Sequence, residues 1–244
     1  MEYNYLLKNR HAAVIGGASG IGRAVSILFA RHGAEVVVID ESKQAVDLTL
    51  TEVRSYSPGS VSFIIDSDDI RPVCDNAVNE MGYIDILVNA GGIYQTGSLP
   101  EFKFDDLERM LRVNLIRQIT AVKAFIPGMK EQRRGDIINI TSDLATASRP
   151  DTSAIAACAG AIYAFTRSVT IDYIRYNIRA NCILCPFDQL PGRLPLTGSP
   201  DVDDVANAAL FYACDLSRNI IGEPMPVNGG MRYFPGLDNG GIAI

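Results

Sequence analysis

The fold of this chain is decided by one short stretch near its start, Val14-Ile15-Gly16-Gly17-Ala18-Ser19-Gly20-Ile21-Gly22. An apolar run leads into a glycine-rich turn, and a helical pattern follows over residues 21–32. The glycines allow a tight turn and a close approach of the backbone to a pyrophosphate, whose negative charge the helix N-terminus favours. The stretch therefore predicts a dinucleotide-binding turn with contacts from Gly16, Ser19, Gly20, Ile21 and Gly22. A tight turn that binds nothing is the alternative interpretation.

Outward from this turn, short β-branched runs alternate with helical stretches along the chain. The predicted strands are Ala12–Ile15, Glu35–Ile39, Val61–Ile65, Ile84–Asn89, Asp136–Thr141, Arg179–Leu184 and Met225–Val227. The predicted helices are Ile21–His32, Lys43–Ser55, Arg71–Met81, Phe104–Met129, Ser153–Tyr176 and Val202–Cys214. Continuous apolar strands are typical of parallel sheets covered on both faces. We therefore expect an α/β fold, a doubly wound parallel sheet with right-handed crossovers, in a single domain over residues 1–244.

Composition and charge disfavour several classes of protein. The 244 residues are 48% hydrophobic, which supports a large core, and the net charge of −6 disfavours nucleic-acid binding. Five scattered cysteines, among them the lone pair Cys182 and Cys185, and two histidines are a poor match to the four ligands of a structural zinc site. We therefore expect no metal and reduced thiols. No apolar run has signal-peptide or membrane-spanning character, so we expect a cytoplasmic protein without membrane contact.

An acidic residue closes the second predicted strand. Asp40 follows Gly22 by eighteen residues, the spacing at which dinucleotide-binding folds place a carboxylate against the ribose. A carboxylate at this point binds a 2′-hydroxyl and repels a 2′-phosphate. The sequence therefore favours NAD over NADP as the cofactor.

With these features the chain resembles the short-chain dehydrogenase/reductase family over roughly residues 5–232. The resemblance also rests on Asp66 after the third strand, Asn89-Ala90-Gly91-Gly92, Asn114 within Arg112–Leu115, Ser142 at the end of Ile138–Ser142, Ile178–Asn181 and Val227–Gly230. It implies that Asp66 contacts adenine and that Asn89 opens a turn beside the cofactor. It also implies that Asn114 helps to hold a proton-relay water and that Ser142 takes the position of the catalytic serine.

The resemblance fails at the residues that move the proton. In the family a tyrosine follows the catalytic serine by thirteen residues and a lysine follows the tyrosine by four, but these positions hold Ile155 and Ala159. Neither side chain can donate or accept a proton, and loss of acid–base catalysis alone costs ~10²–10⁴-fold in rate. Three nearby residues could replace the lost groups, and each is better explained as a structural residue: Tyr163 lies about 12 Å further along the helix, Cys158 lacks a flanking cation, and Asp143 suits a loop or cap.

The nicotinamide end of the site departs as well. Pro186-Phe187 stands where the family has Pro-Gly, and a Phe side chain there would occupy nicotinamide space. The segment Phe187–Pro200 is shorter than the family's substrate lid by about a dozen residues, so little chain remains to exclude water. We therefore expect NAD binding in this chain to be weak or absent.

These losses predict a non-catalytic subunit that stabilises an intact homologous subunit in a hetero-oligomer, expected to be a tetramer. In the family, Phe104–Met129 and Ser153–Tyr176 correspond to interface helices, and we expect the apolar C-terminal tail, residues 233–244, to join the interface. The chain resembles the inactive subunit of a hetero-oligomeric hydroxyacyl-CoA dehydrogenase of the anaerobic toluene pathway. Two alternatives stay open: an atypical oxidoreductase that uses other residues, and a dinucleotide-binding sensor.

Overall fold

A computed structural model describes residues 5–186 and 200–230 of the chain. Its strands are β1 (His11–Ile15), β2 (Glu35–Asp40), β3 (Val61–Ile64), β4 (Ile86–Asn89), β5 (Gly135–Ser142), β6 (Ile178–Cys185) and β7 (Pro224–Pro226). All seven are parallel and form one sheet in the order β3-β2-β1-β4-β5-β6-β7. Each predicted strand is present within two residues of its predicted bounds. The doubly wound parallel sheet is therefore confirmed.

Helices cover both faces of the sheet. They are α1 (Gly20–Arg31), α2 (Lys43–Arg54), α3 (Arg71–Met81), α4 (Phe104–Leu111), α5 (Arg117–Gln132), α6 (Ser153–Tyr173) and α7 (Val202–Ala213). Ala12 and Val14 of β1 share a core with α1, α2 and α7, whereas Ala13 and Ile15 share a second core with α3, α5 and α6. The strand order reverses between β1 and β4, and sheets of this kind bind ligands beside that point, at the carboxyl ends of the strands.

The helix predicted over residues 104–129 is two α-helices joined by a π-helical turn, Arg112–Ile116. The amide of Arg117 donates to the carbonyl of Arg112, five residues back. Within this turn the side chain of Asn114 accepts from the amide of Ile93 and donates to its carbonyl, both at 2.8 Å. The predicted helical stretch is present, but its π-helical turn was not predicted, because apolar periodicity does not register a single inserted residue that a tertiary contact holds in place.

Helix α6 and the short turn that ends it, Ser153–Tyr176, are long and apolar enough by length and composition to cross a membrane. The same test is passed by core helices, and α6 packs on the sheet: Val169 lies in the second core and Thr170 Oγ1 donates to the carbonyl of Ala180 at 2.8 Å. The expectations about Phe187, the shortened lid and the tail at residues 233–244 lie outside the described residues.

Candidate functional site

The glycine turn, residues 16–22, has the conformation that a dinucleotide-binding turn needs. Gly16 has a φ of +75°, and its amide donates to the carbonyl of Ile39 at 2.8 Å. A Cβ atom at Gly16 would lie 2.4 Å from Cα of Gly91, and one at Gly22 would lie 2.0 Å from the carbonyl oxygen of Gly16. These glycines are therefore required by the packing of the turn itself, before any ligand is considered.

The N-terminus of α1 leaves groups that could meet a phosphate. Ser19 is the N-cap residue, is exposed, and makes no side-chain capping hydrogen bond. Gly20 and Ile21 open the helix behind it, so their amides belong to the helix end whose dipole favours an anion. The structure thus places the predicted phosphate contacts together, at the carboxyl end of β1.

Asp40 lies at the end of β2 beside this turn. Its Oδ2 accepts a hydrogen bond from the amide of Ala18 at 3.0 Å, and its Oδ1 accepts from the amide of Glu41 at 2.7 Å. These bonds orient the carboxylate next to the glycine turn while each oxygen keeps a further lone pair. The position suits a ribose hydroxyl and opposes a 2′-phosphate, which is the arrangement behind the predicted preference for NAD.

A nucleotide cleft of about 240 Å³ lies between these elements, lined by Gly16, Ser19, Asp40, Glu41, Ile65, Ala90, Gly91, Gly92, Ile93, Val113 and Arg117. Asp66 is exposed just beyond Ile65 and lines the adjoining cleft rather than this one. Neither Glu41 nor Arg117 was predicted from the sequence as a site residue. In the sequence each is an isolated charged residue. Their ion pair could not be predicted, because it depends on the tertiary fold.

Asn89 is buried inside the fold, where it connects the two halves of the sheet. Its Nδ2 donates to Oδ1 of Asn139 on β5 at 2.8 Å, and Nδ2 of Asn139 donates to Oγ1 of Thr166 on α6 at 2.9 Å. The relay joins β4, β5 and α6 through polar groups that are fully buried. The described contacts of Asn89 are thus structural, and the sequence analysis missed its partners Asn139 and Thr166.

Ser142 ends β5 at the position of the family's catalytic serine. Its side chain is buried, and its Oγ accepts a hydrogen bond from the amide of Leu144 at 3.2 Å. The hydroxyl therefore caps the short 3₁₀ turn Asp143–Ala145 that follows the strand. Its local role in the described structure is that of a cap.

The positions at which the family resemblance leads one to expect a tyrosine and a lysine are buried in apolar surroundings. Ile155 is 3% exposed and Ala159 is fully buried. Ile155 belongs to an apolar cluster of five buried residues: Met110, Leu144, Ala154, Ile155 and Cys158. Partly buried apolar side chains, Ile93, Tyr94 and Phe102 among them, pack against this cluster. Ile155 thus contributes to packing at the position where the family needs an ionisable phenol.

The structure offers little support for the three substitutes. Burial raises the pKa of the Cys158 thiol, which disfavours the nucleophilic thiolate. The Tyr163 ring is covered by the guanidinium of Arg167, 5.9 Å from its centroid. Asp143 is buried and forms an ion pair with Arg149, with 3.0 Å between Oδ2 and Nη2. These contacts agree with the structural interpretation of all three residues.

The cysteines carry no sign of a metal centre in the part of the chain that the structure describes. All five are free and buried, and no group of three or more His, Cys, Asp or Glu side chains there is arranged to hold an ion. Burial raises the pKa of Cys182 and of Cys185 to about 12 in each case. Both thiols are therefore protonated at neutral pH.

The described residues fit one half of a dinucleotide better than the other. The glycine turn, Ser19 and Asp40 provide what a pyrophosphate and a ribose need, namely close backbone approach, a helix N-terminus and a carboxylate. At the nicotinamide end, the buried methyl group of Ala159 replaces the lysine ammonium that binds the ribose in the family. A cofactor bound at the glycine turn and Asp40 would lack this lysine contact on its nicotinamide half.

Comparisons with known proteins agree with the fold and the glycine turn. A family model described as short chain dehydrogenase matches residues 10–188. The reductase FabG of Thermotoga maritima, which acts on 3-oxoacyl-acyl-carrier-protein, is 30% identical over 92% of this chain and 98% of its own length. Subunit BbsD of a hydroxy(phenyl)methylsuccinyl-CoA dehydrogenase from Thauera aromatica is 30% identical over 94% of this chain and 99% of its own length.

Among solved structures, a gluconate 5-dehydrogenase from Burkholderia cenocepacia, in complex with NADP and tartrate, superposes with a TM-score of 0.86. It is 27% identical, and the match covers 95% of this chain and 98% of that one. The chain belongs to the short-chain dehydrogenase family of oxidoreductases, and its fold is the family's nucleotide-binding fold.

Proposed function

We propose that this chain is a non-catalytic subunit of an NAD-dependent short-chain dehydrogenase complex in which it stabilises an active homologous subunit. The observation that carries the proposal is the apolar cluster around Ile155. Packing replaces proton transfer there, because Ile155 contacts apolar neighbours and Ala159 is fully buried. A change at position 155 alone would remove the tyrosine that transfers the proton, and a change at position 159 alone would remove the lysine that activates it. The two changes together remove both groups.

Two further observations support a role in an assembly. A relative that covers nearly the whole chain, BbsD, is itself described as a subunit of a dehydrogenase. The helices expected to form the interface also carry exposed apolar side chains: Ile171 on α6 is 77% exposed, and Ile116, just before α5, is 53% exposed. We propose a partner with an intact Tyr and Lys, in a cytoplasmic hetero-tetramer, which acts on a hydroxyacyl thioester.

Co-expression with an intact homologue from the same genome tests the proposal. We expect the isolated chain to show no turnover of secondary alcohols or ketones with NAD or NADP, and we expect the complex to be active. In the complex, replacing the partner's catalytic tyrosine with Phe should abolish activity. Ser142→Ala in this chain should leave the rate per active site within about twofold, because its hydroxyl caps a turn.

The other outcomes identify the alternatives. Turnover above about 1 s⁻¹ by the isolated chain, within the ordinary range for enzymes, would show an atypical oxidoreductase. Tight NAD binding without turnover by a homo-oligomer would favour a dinucleotide sensor. A loss of 10²-fold or more on Ser142→Ala, with the complex intact by size analysis, would contradict a non-catalytic role for this chain.

A further inference from the structure

An ion pair lies at one end of the nucleotide cleft. Arg117 is the first residue of α5, immediately after the π-helical turn, and its side chain is only 9% exposed. Its Nη1 donates to Oε1 of Glu41 at 2.7 Å. Glu41 follows Asp40 in the chain, and its side chain is 60% exposed. The pair therefore joins the end of β2 to the helix on the opposite side of the cleft.

The position of this pair corresponds to the adenine end of the cleft. A dinucleotide with its pyrophosphate on the glycine turn and its ribose at Asp40 must direct its base beyond Asp40. The lining residues in that direction are Glu41, Ile65, Val113 and Arg117. Val113 and Arg117 are four residues apart, so they fall on the same side of the helical segment. The cleft is about 240 Å³ in volume, and an adjoining cleft of about 510 Å³, which Asp66 lines, shares Glu41, Ile65, Val113 and Arg117 with it. The ion pair therefore lies between the ribose end at Asp40 and the cleft that Asp66 lines.

We propose that the ion pair between Arg117 and Glu41 closes the adenine end of the cleft and excludes a dinucleotide from this chain. The inference extends the proposed function, since it explains how a subunit with an intact glycine turn stays free of cofactor. An entering base must displace the Arg117 guanidinium, which is held by Glu41 and by the burial of its stem. The exclusion thus resides in two side chains rather than in the backbone of the turn.

The two members of the pair differ in burial, and this decides which variant tests the proposal. Removing Glu41 would leave a buried cation without its carboxylate, a change that is generally strongly destabilising. Removing Arg117 leaves only an exposed carboxylate, which water solvates. Arg117→Ala is therefore the informative variant, and Arg117→Ser is a second one if the first folds poorly.

The test uses ADP-ribose, which carries adenosine and pyrophosphate but no nicotinamide, in calorimetric titrations of the isolated chain. We expect weak or undetectable binding to the unmodified chain and at least about tenfold tighter binding to Arg117→Ala. Arg23→Ala is the matched control. Arg23 makes a surface ion pair with Glu52, 2.5 Å between Nη2 and Oε2, and does not line the nucleotide cleft. The control should leave the affinity unchanged.

Two results would overturn the proposal. The first is binding that does not follow the ion pair. This means either a low-micromolar dissociation constant for ADP-ribose in the unmodified chain, or no gain in affinity in variants whose thermal unfolding shows them to be folded. The second is tighter binding of 2′-phospho-ADP-ribose than of ADP-ribose that Arg117→Ala abolishes, since Arg117 would then recognise a phosphate. Neither ligand can be turned over, so failure here leaves the non-catalytic assignment standing. ADP-ribose binding without turnover would contradict the exclusion alone, whereas turnover of NAD by the isolated chain would contradict both proposals, because turnover requires bound cofactor.

Discussion

Two regions of this molecule have diverged from their family to different extents: the glycine turn at β1 and the segment from Ser142 through α6. The turn keeps its glycines, its positive φ at Gly16 and its contact with Gly91. The second region keeps the fold, and it buries Ile155 and Ala159, which occupy the positions where the resemblance leads one to expect the proton-transfer residues. A catalytic side chain can be lost without loss of the fold, whereas a glycine whose Cβ would collide with the main chain cannot. Fold and chemistry thus depend on different atoms.

The largest expected effect is a loss of stability caused by a substitution in the glycine turn. Gly22→Ala should destabilise the chain by about 3 kcal/mol or more, because the new Cβ would lie 2.0 Å from the carbonyl oxygen of Gly16. Urea unfolding followed by circular dichroism measures this change. Gly160→Ala is the matched control on α6, where an added Cβ meets no atom within 4 Å. The control should stabilise the chain by about 0.5–1 kcal/mol. Equal effects at both positions would refute the idea that the turn is retained for packing.

A lysine placed at position 159 tests the other region, the segment from Ser142 through α6. Ala159→Lys should destabilise the isolated chain by about 3 kcal/mol and restore no activity, because it buries a charge in a fully buried position. Ala157→Lys on the exposed side of the same helix is the control and should change stability by less than about 0.5 kcal/mol. Dehydrogenase turnover by the double variant with Ile155→Tyr would show that the site still has room for its chemistry.

The polar relay between the regions should have an intermediate effect. Thr166→Val removes the acceptor of the Asn139 amide and should cost about 1–3 kcal/mol, because a buried donor is left unpaired. Ser168→Ala is the comparison, since its hydroxyl bonds only to the carbonyl of Ala164 on an exposed side of α6. Chemical denaturation of both variants gives the difference. A Thr166→Val chain as stable as the Ser168→Ala chain would mean that the relay does not couple the two regions.

The smallest expected effect is a pH dependence at the end of α1. Burial lowers the pKa of His32 below its ordinary value of 6.5, since desolvation disfavours the charged ring. The stabilising contribution of neutral His32 is therefore fully present above pH 6.5. The free energy of unfolding falls as the pH drops below 6.5, because the unfolded chain takes up the proton first. His32→Gln should flatten this part of the stability–pH curve relative to the unmodified chain. A curve unchanged by the substitution would contradict the assignment.

Much of the fold was predictable because residue type and spacing along the chain indicate its strands and its glycine turn. Continuous apolar runs such as Val36–Ile39 identify strands buried on both faces, and the glycine spacing of residues 16–22 identifies the turn between β1 and α1. Ser142 and Ile155 were assigned to the family's catalytic positions by counting along the chain, and this assignment stays a prediction. The π-helical turn at Asn114 was missed, since it is fixed by hydrogen bonds to Ile93 rather than by a local pattern.

The sequence by itself determined the parallel sheet and the glycine turn, and it predicts the absence of the tyrosine and lysine, because each is a property of residue type and spacing. Only the tertiary structure decided what surrounds these positions. It brought Arg117 to Glu41, 76 positions apart in the chain, and it buried Ile155 with Met110 and Leu144. Such contacts depend on how helices pack over the sheet, and the distances and burial they create are not encoded in any one segment.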